Sequence, residues 1–319
     1  MARRQTSSVT RVSVILATGL AFVFLSLSGA VPGAYAQSME PRAYTNAPVG
    51  MNFLIVGYSY IQGDVLLDPS IPLTDADVRI HSLVLAYSRM LDLWGRSGNI
   101  SVVLPYSWLS ASGTLESTGA SRTRNVSGPA DPALRFSVNL YGGPALSLEE
   151  FKKYRQDTIV GLGFVVSAPL GDYDPNKLVN IGTNRWSFKP EIGISHDFGN
   201  WSLEGVAGVT FYSDNNDFFG GQKREQDPIY SVQAHAIYTF ESGVWVSLGG
   251  TYYTGGATTI NGVSHDDKLS NWRWGFNVAV PVNRYNSIKL FGSRGAYTRT
   301  GGDFDMIGLA WQIRWGAGL

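Results

Sequence analysis

Stretches of about ten residues in which apolar and polar side chains alternate recur along most of this chain, and few folds accommodate that pattern. Twelve such segments can be marked: 52–61, 79–90, 99–109, 131–141, 158–168, 186–198, 201–212, 228–240, 244–254, 272–280, 287–297 and 304–315. In 99–109, Ile100, Val102, Leu104, Tyr106 and Trp108 share one face, and Pro105 falls on the other. In 131–141, Leu134, Phe136, Val138 and Leu140 alternate with Ala133, Arg135, Ser137 and Asn139. Roughly ten residues is the length a tilted strand needs to cross a bilayer. The connections alternate too: 62–78, 110–129, 169–185, 213–227 and 255–271 are long, while 91–98, 199–200, 241–243 and 281–286 are short. A soluble sandwich has no reason to alternate in this way, whereas a membrane barrel has long outer loops and short periplasmic turns. The expectation is an all-β, transmembrane, antiparallel up-and-down β-barrel of about twelve strands, both ends facing the periplasm.

The first 36 residues read differently. Arg3, Arg4 and Arg11 precede an apolar run from Val12 to Leu27, and Ala34-Tyr35-Ala36 offers a small-residue cleavage site. The run is shorter than the roughly 20 residues of a spanning helix. Gln5-Thr6-Ser7 does not resemble a twin-arginine motif, so export by the general secretion route to the bacterial outer membrane is expected. The chain then divides into a signal peptide at 1–36, a periplasmic N-terminal segment at 37–51 and a barrel at 52–319.

Composition agrees. Charged residues are 16% of the chain against roughly 25% in soluble proteins, and glycine (37 residues) and aromatics (13%) are plentiful, as in membrane barrels. The chain has no cysteine, so an exported protein of this kind must be stabilised otherwise than by disulfides, as a closed sheet in a membrane is. A net charge of zero argues against a nucleic-acid partner.

One short-side connection breaks the rule. Residues 142–157 contain Ser147-Leu148-Glu149-Glu150, a capping box opening a short periplasmic helix over 147–154. It reads as a lid over the barrel base or as a plug or docking site.

If the apolar faces meet lipid, the opposite faces line the lumen, and they carry Arg135, Lys189, Glu191, Glu204, His235, Arg273, Lys289 and Arg314. A charge on the lipid face costs about 2–4 kcal/mol at the bilayer midplane, which favours this orientation. These groups either form a polar pathway or pair with one another and seal the barrel. In the first outer loop, Val65, Leu66, Leu67, Ile71 and Leu73 could form an apolar vestibule or fold over the mouth.

Several stretches carry a family resemblance. They are Leu91-Asp92-Leu93-Trp94-Gly95-Arg96 ahead of Val103-Leu104-Pro105-Tyr106, Asp131-Pro132 with Asn139-Leu140-Tyr141-Gly142-Gly143-Pro144-Ala145-Leu146, Ser167-Ala168-Pro169-Leu170-Gly171-Asp172-Tyr173, and Asn180-Ile181-Gly182-Thr183-Asn184-Arg185-Trp186-Ser187-Phe188-Lys189-Pro190-Glu191. With them the chain resembles the outer-membrane transporter family labelled "MetA-pathway of phenol degradation". The resemblance implies uptake of aromatic or other hydrophobic compounds and brings no catalytic residues.

Enzymatic signatures are thin. His81, His196, His235 and His265 show no metal-ligand spacing, and no Gly-x-Ser-x-Gly elbow is present. Ser195-His196 is the adjacent pair on a strand, with side chains on opposite faces. Asp214, Asp217, Asp266 and Asp267 read as solvated loop residues or cation-bridged lipopolysaccharide contacts. The expectation is a non-enzymatic channel or carrier for passive uptake of small hydrophobic compounds, aromatic ones included, without cofactor or metal. The alternative is a structural or surface-interaction barrel acting through its outer loops. Expected partners are outer-membrane lipid and lipopolysaccharide, the small hydrophobic substrate and the barrel assembly machinery, which reads aromatic-ended final strands such as the one ending at Trp315.

Overall fold

The computed structural model describes residues 40–64, 73–115, 119–301 and 303–319. Seventeen strands and one helix occur among them: β1 (Met51–Asp64), β2 (Leu73–Leu93), β3 (Arg96–Leu115), β4 (Ser121–Pro129), β5 (Ala133–Tyr141), α1 (Leu148–Phe151), β6 (Thr158–Ser167), β7 (Ser187–Phe198), β8 (Trp201–Tyr212), β9 (Asn215–Phe218), β10 (Gln222–Gln226), β11 (Ile229–Thr239), β12 (Trp245–Gly255), β13 (Thr258–Ile260), β14 (Val263–Ser264), β15 (Leu269–Pro281), β16 (Asn286–Thr298) and β17 (Asp303–Gly316). Each of the twelve expected segments coincides with a crossing of a closed antiparallel barrel. The seam joins β1 to β17, with Met51 opposite Gly316 at one end and Asp64 opposite Asp303 at the other. Closure removes the open edge that hydrocarbon would not tolerate.

The fourth crossing is made of two strands. β4 continues the outer part of β3 and β5 its inner part, with a break at Ala130-Asp131-Pro132. Proline cannot donate to a ladder, so the strand jogs there. Neighbouring backbone supplies substitutes: Ala130 N–H donates to Pro105 O at 3.0 Å, Ala168 N–H to Pro132 O at 3.0 Å and Asp172 N–H to Pro129 O at 2.8 Å.

The expected loop at 110–129 is largely sheet, because β3 runs on to Leu115 and β4 starts at Ser121. At 21 and 20 residues, β2 and β3 are about twice as long as a bilayer crossing requires, so this part of the wall projects beyond the membrane. The loops at 213–227 and 255–271 likewise carry β9, β10, β13 and β14, which join in a separate four-stranded sheet. Alternation was too brief in these pieces to mark them as strands.

At the opposite end the turns are tight. The connection expected over 91–98 shrinks to Trp94-Gly95, both at positive φ (55° and 78°), with Gly95 N–H bonded to Asp92 Oδ1 at 2.7 Å. Two successive positive φ values are what a two-residue hairpin turn demands. The outward face is largely apolar, and aromatic clusters mark its two borders: Trp201, Tyr238 and Phe240 beside the short turns, and Tyr106 with Trp108, Trp186 with Phe188 and Tyr252 with Trp272 towards the long loops. Such girdles sit at the two membrane–water interfaces.

The helix is present but is only four residues long. Glu150 N–H bonds to Ser147 Oγ at 3.4 Å, and Ser147 N–H and Oγ–H return bonds to Glu150 Oε2 at 2.9 and 2.7 Å. Leu148 and Phe151 are buried beneath it.

Candidate functional site: the barrel interior

Inward-facing residues form apolar patches set among buried polar and charged groups. On β1, β2, β3, β5, β16 and β17 the inner face carries two apolar patches, Ile55, Val84, Ala86, Val103, Ala133, Phe291 and Ala310 forming one buried cluster and Ile61, Val78, Ile80, Leu109, Ala111, Val179 and Phe304 another, with Met306 packed against both, and buried polar residues such as Ser59, Ser82, Ser107, Arg135 and Lys289 lie among them. Across the lumen, on β7, β8, β11, β12 and β15, the buried inward positions include Lys189, Glu191, Ser195, Glu204, Gln233, His235, Ser247, Thr251, Arg273 and Asn277 beside apolar Val206, Ile237, Trp245 and Ala279.

All eight expected lumen residues point inward and are buried. Four of them, Arg135, Glu191, Glu204 and Lys289, engage a segment that sequence reasoning placed outside the barrel, and Lys189 joins them through Glu191. Residues 40–48, expected in the periplasm as part of 37–51, enter from the short-turn end and cross the lumen. Glu40 takes a bond from Lys289 Nζ at 3.0 Å. The backbone N–H of Arg42 donates to Glu204 Oε2 at 2.5 Å, its Nη2 donates to Thr239 Oγ1 at 2.6 Å, and its guanidinium lies 5.0 Å from the centre of the Trp245 ring. Tyr44 Oη donates to Glu191 Oε1 at 3.2 Å. Glu191 is a hub, accepting also from Arg135 Nη2 at 2.6 Å and meeting Lys189 Nζ at 3.4 Å. The physical reason is charge complementarity. A lumen that carries buried carboxylates and ammonium groups needs partners in a low-dielectric interior, and the alternating Glu40, Arg42 and Tyr44 provide them.

The connection bearing α1 clasps this segment from below. Asn46 Nδ2 donates to Pro144 O at 2.9 Å, Asn46 N–H to Gln156 Oε1 at 3.2 Å and Val49 N–H to Leu146 O at 2.8 Å. The C-terminal residues Ala317 and Leu319 pack nearby against Ala47, Met51, Phe53 and Met90.

The other three expected residues do different work. Arg273 lies 3.6 Å over the Phe304 ring and donates to Ser293 Oγ and Phe304 O, both at 3.0 Å. Arg314 Nε donates to Arg284 O at 2.7 Å in the last short turn. His235 makes no hydrogen bond among the described residues. Of the vestibule residues, Val65, Leu66, Leu67 and Ile71 lie outside the described residues, and Leu73 opens β2.

The outer half of the lumen is occupied by the connection 169–185. Val179 and Ile181 are buried in it, and Val179 joins the apolar cluster on the inner wall. Asp131, at the break in the fourth crossing, anchors it: Oδ1 accepts from Gly171 N–H at 2.8 Å, and Oδ2 from Thr183 N–H at 2.8 Å and Thr183 Oγ1–H at 2.6 Å. Neither Asp131 nor the 40–48 segment stood out by composition. The available signal was the set of inward glycines on β6 and β7, which leave room for something the strands themselves do not supply.

Ser195 and His196 face opposite ways, Ser195 Oγ bonding inward to Glu204 at 3.3 Å and His196 Nδ1 lying outside, 2.9 Å from Thr158 Oγ1. The loop aspartates have protein partners: Asp214 pairs with Lys223 at 2.8 Å, Asp266 with Arg299 at 2.7 Å, and Asp267 accepts from Thr258 N–H at 2.8 Å.

The model of the family labelled "MetA-pathway of phenol degradation" matches residues 62–303, most of the barrel. The chain belongs to that family. No curated protein matches it. Among solved structures, an outer-membrane channel from Pseudomonas putida F1 is similar with a TM-score of 0.73 at 21% identity, covering 87% of this chain and 100% of that one. The autotransporter AIDA-I transport unit from Escherichia coli is more distant, at TM-score 0.49 and 8% identity over 89% and 98% of the two chains, as is the CymD monoaromatic hydrocarbon channel, at 0.45 and 8% over 93% and 94%. For this member of the family, the first likeness shows an outer-membrane β-barrel fold.

Proposed function

We propose that this protein is a passive outer-membrane channel or carrier for small hydrophobic compounds, aromatic ones among them. The observation that carries this reading is the pair of apolar patches on the inner wall of β1–β3, β5, β16 and β17. A barrel that conducts hydrophilic solutes has a polar interior on all sides. Here one side carries apolar patches around Ile55 and around Ile61, and an apolar molecule leaving water gains by contact with them. The P. putida protein of similar fold is named a channel, which agrees with the reading.

The alternative, a structural or surface-interaction barrel, draws support from the occupied lumen and from the ordered outer sheet of β9, β10, β13 and β14. Uptake into asymmetric vesicles with a lipopolysaccharide outer leaflet separates the two. Saturable entry of an aromatic hydrocarbon above protein-free vesicles is expected, and Val84→Asp, which puts a carboxylate on the apolar wall, should reduce it about tenfold or more. No entry above the control, from protein whose heat-shifted gel mobility shows a folded barrel, would remove the channel reading and favour the alternative.

A further inference from the structure

Strands β6 and β7 lack side chains at three adjoining inward positions, Gly161, Gly163 and Gly193, and Gly161 faces Gly193 directly across the ladder. Glycine weakens a strand interior, and a cluster of them marks the close approach of another group. That group is the ring of Tyr44. A Cβ on Gly161 or Gly193 would overlap the ring carbons, and one on Gly163 would lie 2.9 Å from the hydroxyl. Ile159 and Val206 pack around the same ring. Its hydroxyl donates to Glu191 Oε1 at 3.2 Å, and the Arg135 guanidinium, bonded to that same oxygen, stands 5.7 Å from the ring centre.

A flat hollow for a ring, an apolar surround, a carboxylate acceptor for an aromatic hydroxyl and a cation beside the π system are together what recognises a phenol. Tyr44 is itself a phenol substituted at the para position, and it arrives on a tether rather than on the barrel wall. Beside it lies a polar cavity of about 20 Å³, bordered by Ala43, Asn99 and Asn139 among others, close to where the para substituent enters. We propose that this hollow is a binding site for para-substituted phenols, that Tyr44 is its tethered occupant, and that a free phenol competes with Tyr44 for it. The inference rests on the uptake reading above, for which it names a compound class. It also gives the 40–48 segment a reason to yield: when a phenol takes the hollow, Tyr44 and its neighbours leave it.

The chain has no cysteine, so Thr45→Cys, at a position 7% exposed beside Tyr44, gives the full-length barrel a single thiol. Its labelling rate by a small thiol reagent reports release of the segment. A tethered group competes at an effective concentration of about a millimolar, so 4-methylphenol should speed labelling about fivefold or more with a half-effect at roughly millimolar concentration. Toluene lacks the hydroxyl and cyclohexanol the aromatic ring, and neither should change the rate. No acceleration by 4-methylphenol, or equal acceleration by toluene, would overturn the proposal. Equilibrium dialysis supplies a second reading: with the tethered competitor removed, Tyr44→Ala should bind radiolabelled 4-methylphenol about tenfold more tightly than the parent, and equal binding would count against the site. Heat-shifted mobility checks that each variant is folded. Labelling that responds to 4-methylphenol while vesicle uptake fails would keep this site and remove the uptake reading.

Discussion

Asp131 shows how much one side chain organises. Its carboxylate gathers three donors from the 169–185 connection while its own backbone sits in the break between β4 and β5, so a wall defect and an inserted loop are fixed by one residue. Hydrogen bonds to a charged group contribute about 1.5–3 kcal/mol each, and their loss here is expected to be partly shared because the three are not independent. Asp131→Ala should therefore speed amide exchange at Gly171 and Thr183 by roughly 30-fold or more while leaving exchange on β11 and β12 unchanged. Unaltered protection at those two amides would mean that other contacts hold the connection. In the sequence Asp131 is one polar residue before a proline, and its role was not readable there, because its partners lie 40 and 52 positions away. The eight inward ionisable residues were readable, since a strand's period of two assigns a face without knowledge of any partner.

At the scale of elements, the strands and the alternation of connection lengths were visible because membrane crossing imposes both a length and a period. What escaped was structure without a repeat: the short strands of the outer sheet, the projecting halves of β2 to β4, and the extended 40–48 segment, whose bonds run to β7, β8, β11 and β16. The helix α1 could be read from four residues, since a capping box is a local device. Bonds from Ser147 hold the Glu150 carboxyl below its ordinary value of 4.5. Because the folded value is the lower one, the carboxylate's contribution is complete above pH 4.5 and fades as pH falls from there through the folded value. Amide exchange at Phe151 and Lys152 should rise over that acid range, and Ser147→Ala, which removes a cap of about 1 kcal/mol, should raise it at neutral pH as well. Acid-insensitive exchange in the parent would show that burial of Leu148 and Phe151, rather than the cap, sustains the helix.

For the whole molecule, two segments of different character occupy the lumen from opposite ends, a charged one at the periplasmic end and one that packs through Val179 and Ile181 at the outer end. Removing residues 40–48 from the mature chain should raise single-channel conductance in planar bilayers and lower the unfolding temperature, since Glu191, Glu204 and Lys289 lose partners inside the barrel. Conductance no higher than that of the full chain would place the limiting constriction in 169–185 instead. The apolar patches of the inner wall also bear on the time before the barrel exists. Through β1, β2 and the outer half of β3, apolar residues occupy much of both faces, so no turn of these strands in water would hide them. They are the first part of the barrel to emerge on export, and β1 gains its second neighbour only when the last strand, β17, arrives. The N-terminal third is thus the stretch most exposed to aggregation in transit, and the one for which a periplasmic holding chaperone matters most.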